Sequence, residues 1–150
     1  MDGPQINISI NTDIKSVADL PPAIEGRAAW HSADFTDGSW IEQLSDADNA
    51  EIKSAAEAAL NRAGGDIAKI TKEAFPLPTM SARISAVSDE IQNGRGFALL
   101  RGIPVEEWGT ELSAAAFYGV GAHIGKARSQ NAKGHILGHV RDLGRSSKKA

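Results

Sequence analysis

The residue types best suited to chemistry stand close together near the end of the 150-residue chain. The stretch QNAKGHILGHVRDLG, residues 130–144, contains His135, His139, Arg141 and Asp142. Imidazole and carboxylate groups are ligands for Zn²⁺ and Fe(II), and a four-residue spacing of two histidines occurs in helical zinc sites. The first question is therefore whether these residues can hold a metal ion.

The local pattern argues against a metal ion at these two histidines. A helical zinc motif has glutamate directly after the first histidine, but Ile136 stands there, and Gly138 disfavours a helix. The alternation in HILGHV predicts a strand, in which His135 and His139 share a face but lie about 13 Å apart. No carboxylate stands two residues after any histidine of the chain. We therefore predict no metal ligand and no catalytic residue among these 150 residues.

The sequence motifs of other kinds of catalytic or cofactor site are missing as well. The chain has no cysteine, which excludes disulfides, thiolate metal sites and cysteine nucleophiles. It has no G-x-S-x-G motif, so no serine is marked as a nucleophile. The glycines of GVGAHIG follow a predicted helix, whereas a dinucleotide fingerprint follows a strand. Their pattern is better explained by a helix end and close packing.

Charge and hydropathy limit the partners. The net charge of −3 gives no attraction to a phosphate backbone, so we predict no nucleic-acid partner. No apolar run approaches the roughly 18 residues of a membrane helix, so we predict no membrane association. The first residues, MDGPQINISI, lack the basic start and apolar core of a signal peptide. A cytoplasmic location is the resulting expectation.

The first half of the chain predicts an extended arm followed by helices. Alternating isoleucines at 6, 8 and 10 indicate a strand within an arm over residues 1–30, with Trp30 and Trp40 packing it down. A helix is predicted from Ser45, capped with Asp48, and ends at two glycines, Gly64 and Gly65. Its predicted apolar face consists of Ile52, Ala56, Leu60 and Ala63.

Further elements are predicted after these glycines. A short helix holds Ile67 and Ile70, FPLP at 75–78 is extended, and Thr79 caps a third helix. That helix carries a core stripe and ends at Asn93–Gly94; the stripe is Met80, Ile84, Val87 and Ile91.

The second half predicts two strands with a helix between them. The apolar run Phe97–Leu100 predicts a strand buried on both faces, against which the helices of residues 45–93 pack. A fourth helix is predicted from Thr110 to about Gly121, followed by the HILGHV strand. Its inward residues are Leu112, Ala115 and Ala116. The sequence therefore predicts an α+β fold.

Several stretches resemble one enzyme family. GFALLRG and QNAKGHILGHVRDLG are the most specific, and with AWHSADFTDGSW and ITKEAFPLPTM they run in the order and spacing of the N-terminal part of TauD/TfdA-like dioxygenases. The resemblance covers residues 28–144. It implies the helical part and first strands of a double-stranded β-helix, or jelly roll, incomplete in this chain. The domain division expected is an arm at 1–30, a partial domain at 31–144 and a frayed tail at 145–150.

The resemblance also implies a chemistry. The family uses Fe(II) and 2-oxoglutarate, and a His-x-Asp/Glu pair with a distant second histidine holds the iron. A downstream arginine holds the cosubstrate. Family members contact a small-molecule substrate around the loop that reads HIGKARSQN here, which makes Asn131, Gln130 and His123 the candidate substrate-binding residues. The alternative for Asn131 is that it caps a turn.

In the family, the iron motif follows the segment that matches HVRDLG. We therefore expect a fragment that binds neither Fe(II) nor 2-oxoglutarate, is inactive alone and can self-associate through unpaired strands. The alternative is a stand-alone binding or regulatory module derived from that family.

Overall fold

The computed structural model describes Ala23 and residues 25–138 of the chain. Three α-helices, two short strands and two 3-10 helices occur in this part. The strands are β1, Ile41–Gln43, and β2, Leu99–Arg101; the α-helices are α1, Asp46–Ala63, α2, Ser81–Asn93, and α3, Val105–Ile124; the 3-10 helices are Ser32–Phe35 and Ile67–Lys69. The described helices are too short or too polar to span a lipid bilayer. The predicted strand at 6–10 and the tail at 145–150 lie outside the described residues.

Helix α1 begins and ends as its sequence predicts. The Ser45 hydroxyl accepts a hydrogen bond from the Asp48 backbone N–H, and the Asp48 carboxylate accepts one from the Ser45 N–H at 2.8 Å. At the other end Gly64 takes a left-handed conformation with φ 62°, which costs a glycine little. The buried face differs slightly from the prediction: Leu60 is only partly buried, and Ala55 and Ala59 are buried beside the other three residues.

The core lies where α1 and α2 meet α3. Phe75, Ile52, Met80 and Ile84 are its largest fully buried side chains. The Phe75 ring lies directly against Gly119 of α3, where a Cβ atom would collide with it. Close packing of a ring on a helix backbone therefore explains this glycine, as predicted.

Helix α2 confirms its predicted stripe but not its predicted cap. Met80, Ile84 and Val87 are buried, and Ile91 is half-buried. Met80, however, occupies the cap position, and no side chain caps the helix. Thr79 instead donates from its backbone N–H and its hydroxyl to the Glu51 carboxylate of α1. A partner that is distant in sequence thus replaces the local cap.

The two strands form a parallel pair in which Ile41 is opposite Leu99. The prediction that β2 is buried on both faces is wrong, because Leu99 is 36% exposed. Helices α1 and α2 pack on α3 and make no close backbone contact with β2. Leu100 alone of the strand reaches the core cluster.

Trp30 and Trp40 make aromatic contacts, although most of the arm that they are predicted to pack down lies outside the described residues. Trp30 packs edge-on against Phe35 and Phe97 with ring centroids 5.1 and 5.0 Å apart, and Trp40 packs on Phe97 at 6.0 Å. The Trp30 indole N–H also donates to the Arg95 carbonyl at 3.0 Å. These contacts fasten the chain before β1 onto the segment before β2.

Helix α3 spans Val105–Ile124; its part after Gly109 begins at Thr110, as predicted, and it ends beyond the predicted Gly121. Gly109 has φ 71° inside it, so a kink separates the first turn from the rest. Ala115 and Ala116 are fully buried as predicted, and Leu112 is partly buried.

The predicted HILGHV strand is wrong for its described part. Residues 136 and 137 form a bend, residues 135 and 138 have no regular secondary structure, and residues 139 and 140 lie outside the described part of the chain. The Gln130 N–H donates to the His135 carbonyl, and the His135 N–H donates to the Asn131 side chain. Local loop closure therefore uses the backbone groups that a strand would need for pairing.

Replacing Gly119 by alanine should destabilise the fold. The added Cβ would press on the Phe75 ring, and overpacking of this kind lowers the free energy of unfolding by about 1–3 kcal/mol. Gly121 is the matched control, because a Cβ there meets nothing within 4 Å. Gly121→Ala should raise stability by about 0.5–1 kcal/mol through helix propensity. Urea unfolding of both variants tests this, and equal gains in stability would contradict the packing assignment.

Stability should also depend on acid through Asp48. Its hydrogen bonds from the Ser45 backbone N–H and from Arg83, each 2.8 Å, lower the pKa of the Asp48 carboxyl from 3.8 to about 2. The folded-state pKa lies below the unfolded one, so the ionised group stabilises the fold above pH 3.8, and this contribution disappears as pH falls through about 2. Asp48→Asn should therefore be less stable at neutral pH and lose less stability over this interval. Urea titrations at several pH values measure both effects. Asp46→Asn, in the same helical turn, is the charge-matched control, and identical acid profiles for Asp48→Asn and wild type would contradict the assignment.

Candidate functional site

His123 stands near the C-terminal end of α3 and faces the segment before α2. Its Nε2 lies 2.7 Å from the Phe75 carbonyl oxygen. A carbonyl oxygen only accepts, so Nε2 carries the proton and Nδ1 is the basic nitrogen. The ring borders a depression of about 310 Å³ next to Pro76 and Ser81. His123 therefore ties the end of α3 to the chain around the core phenylalanine.

Asn131 closes a tight turn in the loop after α3. Its side-chain oxygen accepts from the backbone N–H groups of Lys133 and His135, at 3.0 and 3.2 Å. Its amide nitrogen lies 3.0 Å from His135 Nδ1, which accepts the bond because an amide nitrogen only donates. The turn-capping alternative is thus the geometry observed, and both ends of the Asn131 side chain are engaged.

Gln130 has a different position in the same loop. Its backbone N–H donates to the His135 carbonyl, and its side chain donates to the Arg128 carbonyl at 2.9 Å. The residue borders an open groove between the second half of α3, residues 68–73 and the loop at 125–137. We call this depression the α3 groove.

The α3 groove has a volume of about 790 Å³, within the range of small-molecule sites. Its walls are largely apolar, and its apolar side chains include Ile70, Phe117, Tyr118, Ile124, Ile136 and Leu137. Three cations, Lys72, Lys126 and Arg128, border it together with Glu73. Hydrogen bonds from its own backbone and from Thr71 lower the pKa of Glu73, so this carboxyl is ionised at neutral pH. The groove can therefore accommodate a small molecule with an apolar body and a polar or anionic end.

The structure separates the three predicted substrate-binding residues. Gln130 borders the α3 groove, His123 borders the other depression, and Asn131 lines neither. Sequence reasoning missed Tyr118 and Arg128 as groove residues. The signal for Arg128 was present, because it stands with Lys126 in the HIGKARSQN loop. Tyr118 carried no signal, because it adjoins the core stripe of α3.

The described residues do not fit the iron centre that the resemblance implies. Over Ala23 and residues 25–138, no group of three or more histidine, aspartate or glutamate side chains could hold a metal ion. His123 and His135 each have a ring nitrogen committed to a protein hydrogen bond. His139 lies outside the described residues.

Replacing Asn131 by alanine should loosen the turn. The variant removes the acceptor of two backbone N–H groups, so the amides of Lys133 and His135 should exchange with solvent faster. Asn131→Asp keeps an acceptor oxygen at the same place and is the matched control. Residue-resolved hydrogen exchange by NMR measures the effect. Unchanged exchange in Asn131→Ala would show that the side chain does not hold the turn.

The chain is similar to two named proteins. It is 32% identical over 127 residues to an FR-33289 synthase of Streptomyces rubellomurinus. The aligned segment covers 84% of this chain and 37% of that protein. It is 30% identical over 125 residues to a taurine hydroxylase-like protein of Stachybotrys chartarum. The aligned segment covers 82% of this chain and 32% of that protein. No family model matches the chain.

This chain thus spans about a third of the length of these curated relatives. The similarity extends over more than four fifths of the chain and confirms the resemblance on which the substrate loop was assigned. The chain is a homologue of these TauD-like relatives.

Proposed function

We propose that this chain is part of an Fe(II)- and 2-oxoglutarate-dependent oxidoreductase of the TauD-like type, and that it supplies one wall of the substrate site. The observation that carries the proposal is the α3 groove, bordered by the loop that the family resemblance marks for substrate contact. The names of the two relatives, a synthase and a taurine hydroxylase-like protein, support small-molecule chemistry.

Within this wall, Gln130 is the residue best placed to contact a substrate. It borders the groove beside Arg128, whose carbonyl its side chain holds. Asn131 does not line the groove, but its side chain fixes the turn that presents Gln130. His123 does not line the groove either, and it fixes the end of α3 through its hydrogen bond to the Phe75 carbonyl.

The iron and the cosubstrate belong to residues other than those described. His123 and His135 each use a ring nitrogen for a hydrogen bond within the protein, and no group of three histidine or carboxylate side chains in the described part could hold a metal ion. We propose that the jelly roll of the complete fold carries the metal ligands and that the 150-residue chain alone is inactive. The role of the chain is then to bind and orient the substrate.

A second candidate function is a stand-alone binding or regulatory module. The core favours it: Phe75, Ile52, Met80 and Ile84 are fully buried among the described helices, without a contribution from a barrel. Such a module would use the α3 groove for ligand binding alone. The coding DNA beyond the codon for Ala150 separates the candidates, because a His-x-Asp/Glu motif in it supports the oxidoreductase and its absence supports the module.

The 150-residue chain should form no succinate from 2-oxoglutarate above a metal-only control, with Fe(II) and taurine supplied. A longer polypeptide that carries the iron motif should form succinate. In that polypeptide Gln130→Ala should lower the substrate-dependent rate about fivefold, the value of one lost hydrogen bond. Gln92→Ala, on an exposed part of α2, is the matched control. Succinate from the 150-residue chain that is abolished by His139→Ala would overturn the proposal, since iron would then be held by a residue that we predict not to be a metal ligand.

A further inference from the structure

The segment before β1, residues 25–39, is attached to the end of α2, and we call this segment the strap. In the described part of the chain, every hydrogen bond between the strap and the residues after β1 goes to Glu90 or Arg95. Glu90 stands in the last turn of α2, and Arg95 follows the end of that helix. Two residues that are close in sequence therefore provide all of these attachment points.

The Glu90 carboxylate is the centre of the attachment. Its two oxygens accept from the Arg27 guanidinium of the strap at 2.7 and 2.8 Å, and one of them also accepts from the Arg95 Nε at 2.7 Å and from the Arg95 backbone N–H at 3.0 Å. The carboxylate folds back so closely over the helix end that a Cβ atom at Gly94 would collide with it. Hydrogen bonds from Arg95 and Arg27 lower the pKa of Glu90 to about 2, so the group is ionised at neutral pH.

Arg95 extends the attachment along the strap. Its carbonyl accepts from the Trp30 indole N–H at 3.0 Å, and its guanidinium donates to the Ser39 hydroxyl at 3.2 Å. The guanidinium also lies over the Phe35 ring, 5.8 Å from the ring centroid. One ion pair therefore contacts four residues of the strap: Arg27, Trp30, Phe35 and Ser39.

The strap adds little to the core of the fold. None of its described residues is buried, and Trp30 is 44% exposed. The rings of Trp30 and Phe35 pack on Phe97, which does not belong to the core cluster between the three helices. Regions with few buried apolar contacts open locally at a lower free energy than the core does. The strap can therefore open while the helices stay folded.

From these contacts we infer that the strap opens and closes as one unit and that the Glu90–Arg95 pair is its latch. In the closed state Trp30 and Phe35 cover Phe97, and Ser39 borders a cleft of about 170 Å³ between α2 and the segment before β2. Opening uncovers Phe97 and this cleft.

The two halves of the latch differ in their sensitivity to salt. The Arg27 side chain is 65% exposed, whereas the Arg95 side chain is 15% exposed. Salt screens exposed ion pairs more strongly than partly buried ones, so raised ionic strength loosens the Arg27 half first.

Solvent exchange of two indole N–H groups, followed by NMR in the 150-residue chain, tests the inference. Trp30 donates to the Arg95 carbonyl, and Trp40 donates to the Phe35 carbonyl of the strap at 3.4 Å, so opening breaks both bonds. Both indoles should be less protected than the buried core amides, and their exchange should stay nearly constant in low urea. Exchange of the core amides should rise with urea, because it requires the exposure of more surface.

Three variants of charged residues complete the test. Glu90→Gln should accelerate both indoles by the same factor, about tenfold, the value of one lost hydrogen bond to a charged group. Arg27→Gln should accelerate them about threefold, because the pair that it removes is exposed. Raised salt should act on the wild type but add little in Arg27→Gln. Asp89→Asn removes the same charge as Glu90→Gln from the adjacent, exposed position of α2 and should exchange as the wild type does.

Three outcomes would overturn the inference. The first is indole exchange with the same urea dependence as the core amides, because the strap would then open only when the whole chain unfolds. The second is a different response of Trp30 and Trp40 to Glu90→Gln, because the strap would not move as one unit. The third is unchanged exchange in Glu90→Gln, or an equal acceleration in Asp89→Asn, because the Glu90 carboxylate would not be the latch.

Discussion

The contact between the Phe75 ring and the backbone of α3 at Gly119 determines how the helices meet. The ring is fully buried and occupies the space that a side chain at position 119 would fill. Phe75 lies in the segment between the 3-10 helix Ile67–Lys69 and α2. Its carbonyl oxygen also accepts the His123 hydrogen bond, so the same residue fixes the end of α3. The start of the loop after α3 therefore depends on a core contact.

Sequence patterns predicted the parts of this fold that local interactions decide. The Ser45–Asp48 cap, the left-handed Gly64 and the α2 stripe each depend on residues within one or two helical turns. Thr79 was misassigned because its partner, Glu51, is 28 residues away. Leu99 was predicted to be buried because it belongs to an apolar run. The prediction failed because such a run does not specify which element packs on it. The jelly roll and the location in the cell stay predictions.

The candidate site was predicted as a loop and not as individual side chains. The family resemblance indicated HIGKARSQN as the segment for substrate contact, and several residues of this segment border the α3 groove. The turn at Asn131 determines which way each side chain of the loop faces. Such a turn competes with strand pairing for the backbone hydrogen-bonding groups, and the alternation of polar and apolar residues does not reveal it. The predicted trio therefore divides into Gln130 at the groove and two residues that hold the backbone.

The parallel pairing of β1 with β2 has a consequence for the order of folding. Gln43 and Arg101 are 58 positions apart, and α1 and α2 both lie between them. Closing a chain segment of this length costs configurational entropy before any ladder bond forms, whereas each helix forms from near neighbours. The two strands hence meet only after the intervening helices have collapsed and shortened the path. We therefore expect the sheet to be a late element of the folding reaction, together with the aromatic contacts that Trp30 and Trp40 make with Phe97 at the same seam.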